Sequence, residues 1–267
     1  MNRILKDNIP DSRQGVPLLC FLHLPRTGGT TINRLLKYAF GNRAIFHATL
    51  LAQHGGEAGL SAFLAGESDL YDRATLFTGH FGLAHPLVSL SPRPIAIAAV
   101  LRQPLERIVS LYDYIRGTLG HPEHAALSVH SLNQALDAVP NFAAHCRNAQ
   151  LRTLFNATDQ AGIKAALRRR PYLLGRAEAL DAFAQKLLAP FGLALGFALP
   201  RSNERPSLTD VVPARLQPDY AIALQRLEAD NRAELAFFAE LPPVFASRPR
   251  LTNPNRPSPI AEQAHLA

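Results

Sequence analysis

Two short, unbroken apolar runs stand out along the chain: residues 17–23, PLLCFLH, and residues 94–101, PIAIAAVL. Neither alternates polar with apolar, so each fits a strand covered on both faces, as in a parallel sheet between helices. Each is followed by a polar turn and then by helical spacing. After the first, Ile32, Leu35, Leu36 and Phe40 share one face, and Gly41 with Asn42 supplies a stop. After the second, Pro104 opens a segment with Leu105, Ile108, Val109, Tyr112 and Ile115 on one face, closed by Gly117. Shorter apolar stretches at 44–48, 74–79 and 172–175 add candidate strands. Residues 131–170 read as helices. Ser131 and Gln134 are spaced as a capping box, and TDQAGIKAALRRR starts acidic and ends basic before Pro171. Further helices are predicted over 180–191 and 216–240. Strands alternating with helices predict an α/β protein with three layers, its central, mostly parallel sheet flanked by helices and its ligands at the carboxyl ends of the strands. The predicted organisation is an N-terminal extension at 1–16, one domain at 17–241, and a Pro-rich mobile tail at 242–267.

Composition narrows the function classes. With 267 residues, 47% hydrophobic and 18% charged, the chain has the makeup of a packed globular domain, not of a disordered or fibrous one. Lys and Arg outnumber Asp and Glu by 28 to 21, an excess that favours anionic partners without choosing among them. Cys20 and Cys146 form no paired motif, so neither a disulfide framework nor a cysteine zinc site is expected. The first fifteen residues contain no apolar targeting core, and the run at 187–199 is short and interrupted by Pro190. A cytoplasmic protein, not an integral membrane one, is expected.

The turn after the first strand, PRTGGTT at 25–31, places Gly28 and Gly29 between a strand and a fresh helix N-terminus. Glycines there let backbone N–H groups converge on an anion, Thr30 and Thr31 add hydroxyl donors, and Arg26 adds charge. The bare alternative is a tight turn with a threonine cap. A nucleoside triphosphate P-loop needs GxxxxGK[ST], which the chain lacks.

HLPRTGGTT resembles the 5′-phosphosulfate loop of carbohydrate sulfotransferases related to the heparan sulfate 2-O-sulfotransferases, in which Lys usually stands at the position of Arg26. VLRQPLERIVSLYDYIR at 100–116 resembles the 3′-phosphate motif of the same family. TGHFGLAHP at 78–86 and NAQLRTLF at 148–155 are more loosely similar to two further family segments. The resemblance implies a P-loop NTPase-like sulfotransferase fold and 3′-phosphoadenosine 5′-phosphosulfate as donor, with no metal. By the same comparison Arg26, Thr27, Gly28, Gly29, Thr30 and Thr31 hold the 5′-phosphosulfate, and Arg102 and Ser110 hold the 3′-phosphate. Arg102 as a structural cap of the sheet edge, and Ser110 as a small residue on a packed helix, are the competing readings.

Sulfuryl transfer to an alcohol needs a base on the acceptor and positive charge at the leaving oxygen. His80, just after the strand at 74–79, is the candidate base, with His85 and His23 as runners-up. Arg26 serves as an electrostatic clamp, since a guanidinium does not readily give up its proton. The strands ending at His80 and Arg102 carry no terminal carboxylate for magnesium, and Asp69 and Asp72 precede their strand. The expected partners are the nucleotide donor and a carbohydrate or glycolipid acceptor, and no nucleic acid. A P-loop-type small-molecule kinase and a non-catalytic binder of anionic polymers are the alternative functions. The segment 199–208, LPRSNERPSL, is either a cover for the nucleotide or a polar surface connection.

Overall fold

The computed structural model describes residues 17–66, 69–200 and 212–247. In chain order the elements are β1 (Leu18–Leu22), α1 (Gly29–Phe40), β2 (Ala44–Phe46), α2 (His47–His54), α3 (Glu57–Ala65), α4 (Leu70–Arg73), β3 (Leu76–Gly79), α5 (Pro86–Ser89) and β4 (Ile95–Leu101). These are followed by α6 (Pro104–Arg116), α7 (His124–Ser128), α8 (Leu132–Ala138), α9 (Pro140–His145), α10 (Ala149–Phe155), α11 (Gln160–Arg169) and β5 (Tyr172–Arg176). The last are α12 (Leu180–Leu188), α13 (Tyr220–Asp230), α14 (Arg232–Glu240) and β6 (Val244–Ala246). The strands form one sheet in the order β2-β3-β1-β4-β5-β6. All neighbours are parallel except the last pair, β5 and β6.

Side chains of a strand point alternately to the two faces, and here both faces are apolar. Leu18, Cys20 and Leu22 join a core with Ile97, Ala99, Leu60 and Leu151 on one side. Leu19 and Phe21 join another with Leu35, Leu36, Phe183 and Leu187 on the other. The sheet therefore lies between α1 with α12 on one face and the remaining sheet-packed helices on the opposite face, which is the three-layer α/β arrangement. A third core, built on Ile108, Tyr112, Leu132, Phe142 and Leu227, binds α6 through α9 to α13. Cys20 is a fully buried thiol, pushed up to about 12 by burial, with Arg170 opposing weakly. Among the described residues no helix is long and apolar enough to cross a membrane.

The helix starts follow the sequence signals closely. Pro104 occupies the first turn of α6, Ser131 and Gln134 form a reciprocal capping box on α8, and the Asp159 side chain caps α11. Three expectations change. The strand predicted over 44–48 ends at Phe46, the last residue paired with β3, and His47 opens α2 instead. The single helix predicted over 216–240 is two helices broken at Asn231, whose buried amide donates to the carbonyls of Cys146 and Leu227, both at 2.7 Å. The tail does not begin at 242: Val244–Ala246 pairs antiparallel with β5 and closes the sheet edge. Residues 1–16 and 248–267 lie outside the described residues.

Gly175 in β5 shows how tightly α12 is laid on the sheet, since a Cβ there would stand 2.5 Å from the Phe183 ring. Gly175→Ala is expected to destabilise the protein by about 1–3 kcal/mol through overpacking. Chemical denaturation of the variant beside the parent protein checks this.

Candidate functional site

The register of β1 decides which loops meet. Against β3 it runs Leu19 with Leu76 to Leu22 with Gly79, so the next residues, His23 and His80, are level. Against β4 it runs Leu18 with Ile95 to Phe21 with Ala98, which carries Arg102 level with Pro25 and next to Arg26. The glycine turn and the β4–α6 turn are therefore side by side at the carboxyl edge. His23, Arg26, Thr27, Gly28, Gly29, Thr30, Thr31 and Arg102 line one cavity of about 280 Å³. An adjoining cavity of about 740 Å³, walled by Arg26, Arg102, Ser110, Tyr114, Arg215 and Tyr220 among others, shares Arg26, Arg102 and Glu106 with the first.

Within the glycine turn, Gly28 has φ 92° and offers no side-chain cap to α1, so the first amides of the helix meet the cavity without a side-chain acceptor. Gly29 is required by packing: a Cβ there would lie 2.0 Å from the His23 ring. Arg26 also adopts a left-handed backbone, φ 66°, which sends its side chain towards α6. There Nε donates to Ser110 Oγ at 3.1 Å and the guanidinium lies 4.5 Å from the Tyr114 ring centre. Burial pulls the Arg26 pKa down, Tyr114 opposes and Arg102 adds to the fall, yet an arginine stays cationic. The threonines differ in role. Thr27 is buried and donates to the Leu24 carbonyl at 2.9 Å, so it contributes to the cavity through its backbone. Thr31 donates to the Pro200 carbonyl at 3.4 Å, bringing the start of the 199–208 segment to the glycine turn. Residues 201–211 of that segment lie outside the described residues.

Arg102 is held from behind. Gln150 accepts from the Arg102 amide at 3.0 Å and donates to its carbonyl at 2.9 Å, gripping the strand end in both directions. The Gln150 side chain donates in turn to Glu234 at 2.6 Å, and the same carboxylate accepts from the Gln150 and Leu151 amides. Gln150 is 1% and Glu234 0% exposed. The Arg102 guanidinium is half-exposed and meets Glu106, one helical turn on, at 3.3 Å. Asn148 ties the start of α10 to α13 and α14 through Asp230, Asn231 and Glu234, while Arg152 donates to the Ala144 carbonyl. The Asn-x-Gln-x-Arg segment therefore supports the site and does not line it. The sequence marks the segment but carries no local signal for Glu234, whose burial depends on the distant Gln150.

The three candidate histidines occupy different situations. His23 is half-buried against the glycine turn, and its Nδ1 lies 3.0 Å from the Asn33 amide, which Thr78 orients by donating to Asn33 Oδ1. An amide donating to Nδ1 fixes the neutral ring, and burial, helped by His80, takes its pKa down to about 3. His85 caps α5 with Nδ1 and meets Glu57 with Nε2. His80 is exposed and stacks on His23 with ring centres 4.3 Å apart. Burial lowers its pKa, and the nearby His23 backbone opposes that.

No family model matches the chain, and no curated protein matches it. Among solved structures, it is similar to one from the characterization of the PezAT chromosomal toxin-antitoxin system of the human pathogen Streptococcus pneumoniae. The identity is 12%, over 85% of this chain and 91% of that chain, with a TM-score of 0.29. At that score the likeness carries no argument about fold or activity.

Two outcomes test the site's construction. His23 is neutral when folded and takes a proton readily when unfolded, so its contribution is complete above pH 6.5 and lost progressively as pH falls from 6.5 towards 3. The loss runs at about 1.4 kcal/mol per pH unit within that window. His23→Gln should flatten that slope by the same amount in urea unfolding followed between pH 4 and 7. Gln150→Leu should cost about 3 kcal/mol by leaving the Arg102 amide and carbonyl unpaired and removing one of the three hydrogen bonds to Glu234, with unfolding midpoints as the measure.

Proposed function

We propose that the protein is a sulfotransferase that moves a sulfonate group from 3′-phosphoadenosine 5′-phosphosulfate to a hydroxyl of a carbohydrate-type acceptor. The observation that carries this reading is the shared wall of the two cavities. The Gly28–Gly29 turn and Arg102 border one space, and Arg26 and Arg102 continue into the larger one. Two guanidinium groups drawn together at a partly buried edge repel each other, and an anion between them turns that cost into attraction. The open amides at the start of α1 beside that guanidinium pair offer two kinds of anion contact, which suits a nucleotide with phosphate groups at both the 3′ and the 5′ position. The apolar and aromatic wall formed by Leu105, Val109, Tyr114 and Tyr220 suits the base between them. This reading carries with it a P-loop-like sulfotransferase fold for the α/β domain.

In the reaction the acceptor oxygen attacks sulfur, the bond from sulfur to the bridging phosphate oxygen breaks, and the hydroxyl proton passes to the neutral imidazole of His80. The first amides of α1 and the Arg26 guanidinium stabilise the charge left on the nucleotide phosphate. Arg102 holds the 3′-phosphate in exchange for Glu106. Ser110 acts through Arg26, whose orientation its hydroxyl sets.

Calorimetric titration with adenosine 3′,5′-bisphosphate and with ATP, both without magnesium, tests the reading. Submillimolar or tighter binding of the bisphosphate, weaker binding of ATP and a loss of about tenfold or more in Arg102→Ala are expected. Equal affinity for the two nucleotides, or ATP turnover once magnesium is added, overturns it in favour of a kinase. His80→Ala should bind the bisphosphate normally and transfer no sulfonate. Since the folded pKa of His80 lies below 6.5, the transfer rate should hold as pH falls to 6.5 and drop only below it; an acid limb centred above 7 would assign the base elsewhere.

A further inference from the structure

The starts of three helices, α2, α3 and α5, bring His47, Glu57 and His85 together, and none of the three lines either cavity of the nucleotide site. His47 is level with Gly79 in the register of β2 on β3, and Gly79 is a glycine there because a Cβ would lie 2.4 Å from that of His47. Phe81 packs against both imidazoles, with ring centres 5.4 Å from His47 and 5.3 Å from His85. The two imidazoles stand at 81° to each other, 4.7 Å apart. Glu57, in the first turn of α3, reaches both: Oε1 is 3.1 Å from His47 Nε2 and Oε2 is 3.0 Å from His85 Nε2.

One feature separates this group from an ordinary ion pair. His47 is 4% exposed, and its Nε2 makes no well-directed hydrogen bond, even to the carboxylate beside it. A buried ring nitrogen placed against an acceptor oxygen without a directed N–H costs free energy, unless a cation joins the two. Ligand atoms about 2.0–2.2 Å from a shared zinc ion stand roughly 3.3 Å apart in a tetrahedron. Both nitrogen-to-oxygen separations here are close to that, and the candidate ligand atoms all lie within 4.8 Å of one another. Two imidazoles and one carboxylate are the donor set of three-ligand zinc sites whose fourth position is open. The Glu57 side chain faces solvent, so the open position is on the outside.

We infer that His47, Glu57 and His85 form a binding site for a divalent first-row cation, zinc foremost, held by the two Nε2 atoms and the Glu57 carboxylate. Coordination has a local consequence. His85 Nδ1 accepts the Leu87 amide at 3.1 Å, so the neutral ring carries its proton on Nε2. A metal at Nε2 moves that proton to Nδ1, and the Leu87 amide then loses its acceptor. Loading the site and capping α5 through His85 are mutually exclusive. The ion would tie the start of α3 to those of α2 and α5, beside His80. The inference is independent of the sulfotransferase reading.

The test uses the full chain, stripped with a chelator and titrated with zinc, then with cobalt as a spectroscopic substitute. One zinc per chain at micromolar affinity or tighter, with a cobalt spectrum of low-coordinate type, is expected. Glu57→Gln, exposed and safe for folding, and His85→Ala should each weaken zinc binding by about tenfold or more, whereas His121→Ala, in a remote loop, should not. The backbone amide resonance of Leu87 should shift on zinc addition in the parent and stay in place in Glu57→Gln. Failure to bind zinc, or undiminished binding in Glu57→Gln, overturns the inference and leaves Glu57 as a hydrogen-bond bridge between two imidazoles.

Discussion

The site depends on one constraint, the pairing register of β1 with its two parallel neighbours. Backbone hydrogen bonds fix that register, and the two-sided apolar pattern of β1 enforces it. A slip of one residue would turn Leu18, Cys20 and Leu22 towards the core that holds Leu19 and Phe21. Once the register is set, the residues just past the strand ends are placed without further choice. His23 falls beside His80, Arg26 falls beside Arg102, and His47 falls beside Gly79. Parallel strands end at the same edge, so side chains distant in sequence meet there as a consequence of hydrogen bonds made several residues earlier.

Concentrating positive charge at that edge has a cost, and the structure shows how it is supported. Arg102 cannot drift away from Arg26, because Gln150 holds its amide and carbonyl and is held in turn by a fully buried carboxylate. Glu234 accepts three hydrogen bonds, which is the condition for keeping a charge so far from water. Arg26 is oriented through Ser110 and the face of Tyr114. The helices α6, α10 and α14 thus act on the site by restricting two guanidinium groups to one cleft, and the strain of a left-handed Arg26 is part of that restriction.

Much of this was legible in the sequence, and the limits have physical causes. The apolar runs of β1 and β4, the helices behind them and the caps at Pro104, Ser131 and Asp159 were readable because each is decided within a few residues. The glycine turn and Arg102 were readable as site candidates because strand ends in an α/β sheet have a known position. What escaped depended on distant partners. Asn231 breaks a continuous helical pattern only because Cys146 offers it a carbonyl, and β6 exists only because β5 leaves an edge open. Nothing near Glu234 in sequence marks it as buried, since its partners are Gln150 and the start of α10. The reading of His47 as part of a strand failed because pairing with β3 stops at Phe46 and His47 opens α2. The His47, Glu57 and His85 group was invisible for a similar reason, since no local spacing joins the starts of three separate helices.

The stacked pair at the centre of the edge unites these points. His80 lies 4.3 Å from His23, so the charge of either ring is felt by the other. Were His23 free to take a proton, the two rings would compete for it. The Thr78 hydroxyl prevents this at two removes, by orienting Asn33 so that an amide hydrogen points at His23 Nδ1. A protonated His23 would face that hydrogen with one of its own. The lock draws on β3, α1 and β1 at once, and Gly29, which leaves room for the His23 ring, is one of the two glycines of the anion turn. The same short stretch of chain therefore opens backbone amides towards the cavity on one side and keeps a neutral platform under His80 on the other.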